Sequence, residues 1–124
     1  MGHMGFVGTR FTKLEQAVLR VICEKHPLDR AELEAQLSTA IVHSRENSGT
    51  GFYTFFSVAP SSSPPITGTR LRIGAQAKVD GLKYGMGFNL WLEKGYADCI
   101  EGYSYDEDTM GIDLEQAGFE IEKR

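Results

Sequence analysis

The hydrophobic pattern of this chain changes period once, near Ala40, and that change decides what the chain can fold into. Before Ala40, apolar residues recur with the spacing of one helix face, and after it they alternate with polar residues as in half-buried strands. Because the helical segments come first and the strands follow, the order does not fit alternating β-α-β units. It predicts an α+β fold, with two N-terminal helices packed on a mainly antiparallel sheet of five or six strands.

The first helix has a clear start and a clear end. Thr12 and Glu15 have the spacing of a capping box, in which each side chain accepts a hydrogen bond from the other residue's backbone amide. An apolar stripe of helical period follows, and Pro27 stops it. These signals predict a helix over residues 12–25.

The second helix begins with a similar signature. Asp29 and Glu32 repeat the capping-box spacing, and Leu28 and Leu33 stand where a hydrophobic staple would place them. A second short helix is therefore predicted to run from this cap to about Ser38.

Alternating segments after Ala40 predict the strands. Residues 41–47 and 52–58 flank a short glycine-containing loop and predict a hairpin, and residues 70–79 alternate almost without error. The proline-containing segment 61–65 cannot continue a ladder and predicts an exposed loop. A short last strand is predicted at 119–122.

A second hairpin is predicted around Lys94 and Gly95, which form a two-residue turn between two alternating runs. In a regular ladder this turn pairs residue 91 with 98, 90 with 99 and 88 with 101. The core face would then carry Phe88, Leu90, Leu92, Ala97 and Cys99, and the other face Trp91, Glu93, Tyr96 and Asp98. Glu101 falls on the core face, where an unpaired carboxylate costs several kcal/mol.

The unusual position of Glu101 makes it the first candidate for a site. It would converge with Tyr103, Tyr105 and Asp106, with Tyr53 as a further wall. A carboxylate ringed by phenols can bind a polar ligand or act as a general base. The other interpretation is structural: Glu101 reaches solvent at its strand end, or pairs with one of three arginines, Arg45, Arg70 or Arg72.

A second candidate is an interface patch formed by Trp91, Tyr96 and Asp98 on the outer side of the hairpin. Amphipathic aromatic side chains beside a charge are typical interface anchors. They serve equally well as cross-strand stabilisers of the sheet, so both interpretations stay open.

The sequence gives little support for a histidine-based catalytic site or for a metal site. Outside the N-terminal segment the only histidines are His26, which ends a helix, and His43, predicted on a polar strand face. An EF-hand starting at Asp106 fails because Met110 and Ala117 stand where oxygen ligands are required. We therefore predict no catalytic residue, no metal and no cofactor, and leave open whether the chain is an enzyme.

The composition and the charge of the chain limit the classes of partner and the cellular compartment that we expect for it. The 124 residues carry a formal net charge of −4, which disfavours nucleic acid as a partner. No long apolar stretch or secretory signal is present, which predicts a cytoplasmic protein without membrane contact. Cys23 and Cys99 are predicted to be reduced thiols. Residues 1–4 are interpreted as an expression scar, and residues 5–124 as one domain.

Four segments together resemble a family of small uncharacterised bacterial proteins. They are Phe11-Thr12-x-Leu14-Glu15, Arg45-Glu46-x-x-Gly49-x-Gly51-Phe52-Tyr53-Thr54, Gly87-Phe88-x-Leu90 and the C-terminal Glu101-Gly102-Tyr103-x-Tyr105. The resemblance implies a stand-alone bacterial protein of two helices and a sheet. It carries no assigned activity.

The predicted function is a non-catalytic protein-interaction or binding module, whose partner is another protein or a second copy of the chain as a homodimer. The alternative is a small ligand-binding protein or enzyme that uses the Glu/Tyr pocket around Glu101.

Overall fold

The computed structural model describes residues 11–67 and 73–122, with the side chain of Ile73 excepted. The interpretation of residues 1–4 as a scar lies outside the described residues, as do Arg70 and Arg72. The helices and strands are α1 (Lys13–Lys25), α2 (Arg30–Leu37), β1 (Ile41–Asn47), β2 (Gly51–Ser57), β3 (Ile73–Val79), β4 (Met86–Glu93), β5 (Tyr96–Ser104) and β6 (Phe119–Glu122). One 3₁₀ turn, Pro60–Ser62, lies in the predicted loop.

The strands form one antiparallel sheet in the order β1-β2-β5-β4-β3-β6. Helix α1 packs against β3, β4 and β6, and α2 packs against β5. The face that meets the helices carries the buried core, which includes Phe56, Phe88, Leu90 and Ile100. The predicted α+β fold is confirmed, with six strands in the part of the chain that the structure describes.

Helix α1 begins as the sequence predicts. Thr12 caps it: the Thr12 hydroxyl accepts from the Glu15 amide at 3.1 Å, and Glu15 Oε1 accepts from the Thr12 amide at 2.9 Å. The predicted capping box is confirmed, and it points Glu15 toward the sheet.

The predicted cap of α2 is wrong. Asp29 precedes the helix, but its backbone has φ −108° and ψ 2°, outside the extended region from which a side chain reaches back to the first turn, and it makes no capping hydrogen bond. Leu28 is 94% exposed while Leu33 is fully buried, so the two do not form a staple. The helix is held instead by its buried residues Leu33, Gln36 and Leu37.

Gln36 ties α2 to the turn between β4 and β5. Its side chain is fully buried, Oε1 accepts from the Ala97 amide at 2.9 Å, and Nε2 donates to the Gly95 carbonyl at 3.0 Å and to Ser63 Oγ at 3.2 Å. The bond from Ala97 satisfies a buried backbone amide of the hairpin, and the bond to Gly95 adds a second donor to a carbonyl that also accepts from the Ile66 amide.

Replacing Gln36 with leucine should lower the free energy of unfolding by about 2 kcal/mol, because the volume is roughly kept while the buried amide of Ala97 loses its acceptor and the Gly95 carbonyl keeps only the Ile66 amide. Urea denaturation of the variant measures the loss. The matched control is Gln116→Leu at an exposed position, which should leave the midpoint nearly unchanged. Equal effects of the two substitutions would contradict the role given to Gln36.

The β4–β5 hairpin has the predicted turn but not the predicted register. Lys94 and Gly95 both have positive φ, 53° and 88°, as a two-residue hairpin turn requires, and Leu92 pairs with Ala97. The ladder then shifts, because Trp91 pairs with Cys99 and leaves Asp98 as the extra residue of a β-bulge.

The bulge moves every later side chain of β5 to the other face. Ile100 and Gly102 now pair with Leu90 and Phe88, and Glu101 pairs with Asn89. The predicted pairs of 91 with 98, 90 with 99 and 88 with 101 are therefore wrong. Cys99 and Glu101 lie on the face opposite the helices, not on the core face.

The core side of the sheet holds a different charged pair. Glu15 is 2% exposed, and its two carboxylate oxygens accept from Arg45 at 2.8 Å (Nη2) and 2.9 Å (Nε). The hydroxyl of Thr54 donates to the same carboxylate at 2.6 Å. Arg45 therefore pairs with Glu15 and not with Glu101, and its guanidinium lies beneath α1.

Candidate functional site on the outer face of the sheet

The sheet face opposite the helices, here called the outer face, carries a group of aromatic and polar side chains. Strand β2 contributes Tyr53 and Phe55, whose rings stack at 5.9 Å with an interplanar angle of 16°. Their partners across β5 are Glu101 and Cys99. Phe55 is 40% exposed, so part of a large apolar side chain meets solvent here.

Glu101 lies at the centre of this face. Tyr53 stands directly beside it on β2 and Asn89 directly beside it on β4. Its Oε1 accepts from the indole Nε1 of Trp91 at 2.9 Å and from the amide Nδ2 of Asn89 at 3.3 Å. Within residues 11–67 and 73–122, no lysine, arginine or histidine nitrogen forms an ion pair with this carboxylate.

Two glycines shape the surface beside Glu101. A side chain on Gly87 would come within 2.3 Å of the Tyr103 ring, so the absence of one lets the phenol lie over β4. Gly74 on β3 likewise adds no side chain, and it lines a shallow groove together with Asn89, Trp91, Glu101 and Tyr103. The carboxylate therefore lies in an open groove and not in a closed cavity.

Burial and neighbouring carboxylates raise the pKa of three described residues on or beside the outer face. The charge of Glu101 raises the pKa of the Tyr53 phenol. Burial raises the pKa of the Cys99 thiol to about 11, and the carboxylates of Asp98 and Glu101 add to that rise. Burial, followed by the charge of Glu93, also raises the pKa of Asp98.

The structure brings some of the predicted pocket residues together. Glu101, Tyr103 and Tyr53 share the outer face. Tyr105 contacts the Tyr103 ring edge to face at 5.7 Å, and its hydroxyl donates to Gln76 Oε1 at 2.7 Å. Asp106 is exposed in the following turn, with a φ of 63°. Sequence reasoning missed Asn89 and Gly74, because only the true register places Asn89 beside Glu101 and Gly74 beside Asn89.

The three residues of the predicted interface patch lie in different environments. Trp91 lies on the outer face, bound to Glu101. The Tyr96 hydroxyl lies 3.2 Å from the Pro60 carbonyl and 3.1 Å from the Ser63 carbonyl, so it fastens the loop before β3. Asp98 occupies the bulge. Trp91 therefore belongs with Glu101, and Tyr96 has a structural partner of its own.

Other polar residues of the described segments have structural roles. The backbone amide of His26 caps the end of α1 by donating to the Cys23 carbonyl, and His43 Nε2 lies 2.9 Å from Ser57 Oγ. Glu107, in the acidic loop, accepts from the backbone amides of Lys83 and Tyr84, both at 2.8 Å. Among the described residues no cluster of three or more histidine, cysteine or acidic side chains could hold a metal ion.

The helices of the described segments are all too short or too polar to cross a membrane. Comparisons with protein-family profiles, curated proteins and solved structures give no match for this chain. The resemblance to a small bacterial family stays a prediction.

Proposed function

We propose that the protein is a non-catalytic protein-interaction module that acts in the cytoplasm and docks a different protein on the outer face of its sheet. The observation that carries the proposal is the arrangement of Glu101, whose carboxylate is oriented by Trp91 and Asn89 on a partly exposed surface beside Tyr53 and Tyr103. The free thiols of both cysteines fit a reducing compartment.

The shape of the groove favours a protein over a small molecule. Small-ligand sites enclose most of the ligand's surface, whereas the groove beside Glu101 is shallow and open. Protein interfaces are flatter and are enriched in tryptophan, tyrosine and phenylalanine, which Trp91, Tyr53 and Phe55 supply here. The alternative of a small-ligand or enzyme site would need a closure of this groove around its substrate.

Site-specific photocross-linking in the native host tests this proposal. A benzoylphenylalanine at Phe55 probes the outer face, and the same group at Tyr84, 62% exposed in the loop before β4, is the control. We expect the Phe55 probe to capture one distinct protein that the Tyr84 probe does not. That protein, once purified, should bind the wild-type chain directly.

Affinity measurements then assign the interaction to the face. Phe55→Ser should weaken binding of the purified partner about tenfold or more, as expected for an exposed aromatic anchor, and Tyr84→Ser should leave the dissociation constant unchanged. The proposal fails if both probes capture the same proteins, if the Phe55 probe captures nothing, or if its product is only a covalent dimer of this chain.

A further inference from the structure

The side chains of the outer face lie in rows that cross β2, β5 and β4. Two neighbouring rows carry the aromatic residues of these strands: Phe55, Cys99 and Trp91 form one, and Tyr53, Glu101 and Asn89 form the next. Glu101 is the central residue of its row and the one carboxylate of the two rows. It therefore lies between aromatic side chains of the two strands that flank β5.

The hydrogen bonds of Glu101 reach toward both of these strands. On the β4 side its Oε1 accepts from the indole of Trp91 at 2.9 Å and from the amide of Asn89 at 3.3 Å. On the β2 side its charge raises the pKa of the Tyr53 phenol, and a side-chain hydrogen bond between the two residues adds to that rise. Hydrogen bonds to an ionised acceptor are stronger than those between neutral groups. One carboxylate thus restrains rings on both sides of β5.

Tyr53 extends this restraint to the exposed ring of Phe55. The two rings stack at 5.9 Å with an interplanar angle of 16°, and Phe55 is 40% exposed. Ordering a mobile side chain at an interface reduces affinity, whereas a side chain that is already ordered avoids that cost. A fixed Tyr53 ring therefore prepares Phe55 for contact with a partner.

We infer that Glu101 is a positioning residue of the docking surface, whose carboxylate holds the rings of Trp91 and Tyr53, and through Tyr53 the ring of Phe55, in the arrangement that the partner protein contacts. This inference rests on the proposed function and deepens it, because it assigns recognition to the ring surfaces and an internal role to Glu101. What position 101 requires is then a hydrogen-bond acceptor, and the partner does not need to recognise its charge.

Two substitutions separate the acceptor from the charge. Glu101→Leu removes both, and it should weaken binding of the partner captured at Phe55 about fivefold or more, because the rings must then be ordered during binding. Glu101→Gln keeps an acceptor oxygen and removes only the charge, so it should recover most of the affinity that the leucine variant loses. The matched control is Glu24→Leu on the exposed side of α1, which should leave the dissociation constant unchanged.

Trp91 gives a second measurement that needs no partner. It is the only tryptophan of the chain, so time-resolved fluorescence anisotropy follows its side chain alone. In the wild-type chain and in Glu101→Gln we expect the indole to rotate only with the whole protein. In Glu101→Leu we expect an additional, faster component of local indole motion. A loss of stability alone does not produce that component, because the measurement is made on the folded chain without denaturant.

Two results would overturn the inference. Equal weakening of partner binding by Glu101→Gln and Glu101→Leu would show that the charge itself is recognised. An indole that moves no more in Glu101→Leu than in the wild-type chain would show that Glu101 does not hold Trp91. The anisotropy does not depend on the cross-linking at Phe55, so failure of the docking proposal and failure of the positioning role are separate observations.

Discussion

Arg45→Met should lower the free energy of unfolding by about 3–5 kcal/mol, the usual cost of removing one partner of a buried ion pair. The substitution keeps most of the side-chain volume but leaves the Glu15 carboxylate, 2% exposed, without its cation. The hydroxyl of Thr54 and the amide of Thr12 remain as donors, but neither carries charge. Equilibrium denaturation in urea measures the loss as a lower midpoint with an unchanged slope.

The chain contains a matched control for this prediction. Arg30 and Glu34 form an Arg–Glu pair at 2.7 Å, one helical turn apart and partly exposed on α2. Solvent screens such a pair, so Arg30→Met should barely move the denaturation midpoint. A similar shift for both variants would contradict the buried character of the Glu15–Arg45 pair.

A double variant identifies the origin of the loss. Glu15→Gln combined with Arg45→Met removes the uncompensated charge, while the amide oxygen can still accept from the Thr12 backbone. We expect the double variant to be more stable than Arg45→Met alone. A double variant that is less stable than the single one would show that lost packing of the arginine chain, and not the stranded charge, causes the effect.

Glu15 also shows which contacts local sequence signals can predict and which they cannot. Its capping role was predictable because both partners lie three positions apart and the chemistry of a helix start is local. Its pairing with Arg45, thirty positions away, gives no such signal, and the sequence instead offered Arg45 as a partner for Glu101. Only the pairing of Arg45 with Thr54 across β1 and β2 places the guanidinium beneath α1.

The candidate site was predictable in its residues but not in its orientation. The turn at Lys94 and Gly95 depends on local backbone chemistry, and the prediction of it is confirmed. The bulge at Asp98 has no comparable signature, because Ala97, Cys99 and Ile100 are all apolar enough to face a core. One extra residue reverses the faces of β5 beyond the bulge. Glu101, which the regular register would place on the core face, therefore lies on the outer face.

Gly51→Ala should lower the free energy of unfolding by about 3–5 kcal/mol, the combined cost of backbone strain and steric overlap. Gly51 has a φ of 142°, a conformation that residues with a side chain rarely adopt, and a Cβ there would lie 1.9 Å from the carbonyl oxygen of Gly102. Because that neighbour is backbone of β5, it cannot move aside without separating β2 from β5. Thermal and urea denaturation should both show the loss.

Gly111→Ala is the control, since a Cβ at Gly111 would meet nothing within 4 Å and its φ is not positive. We expect it to leave stability unchanged or slightly increased, because alanine restricts the unfolded chain. If Gly51→Ala behaved in the same way, β2 and β5 could not approach as closely as the structure shows. Tyr53 and Glu101 pair two residues further along the same ladder, so their contact on the outer face depends on that approach.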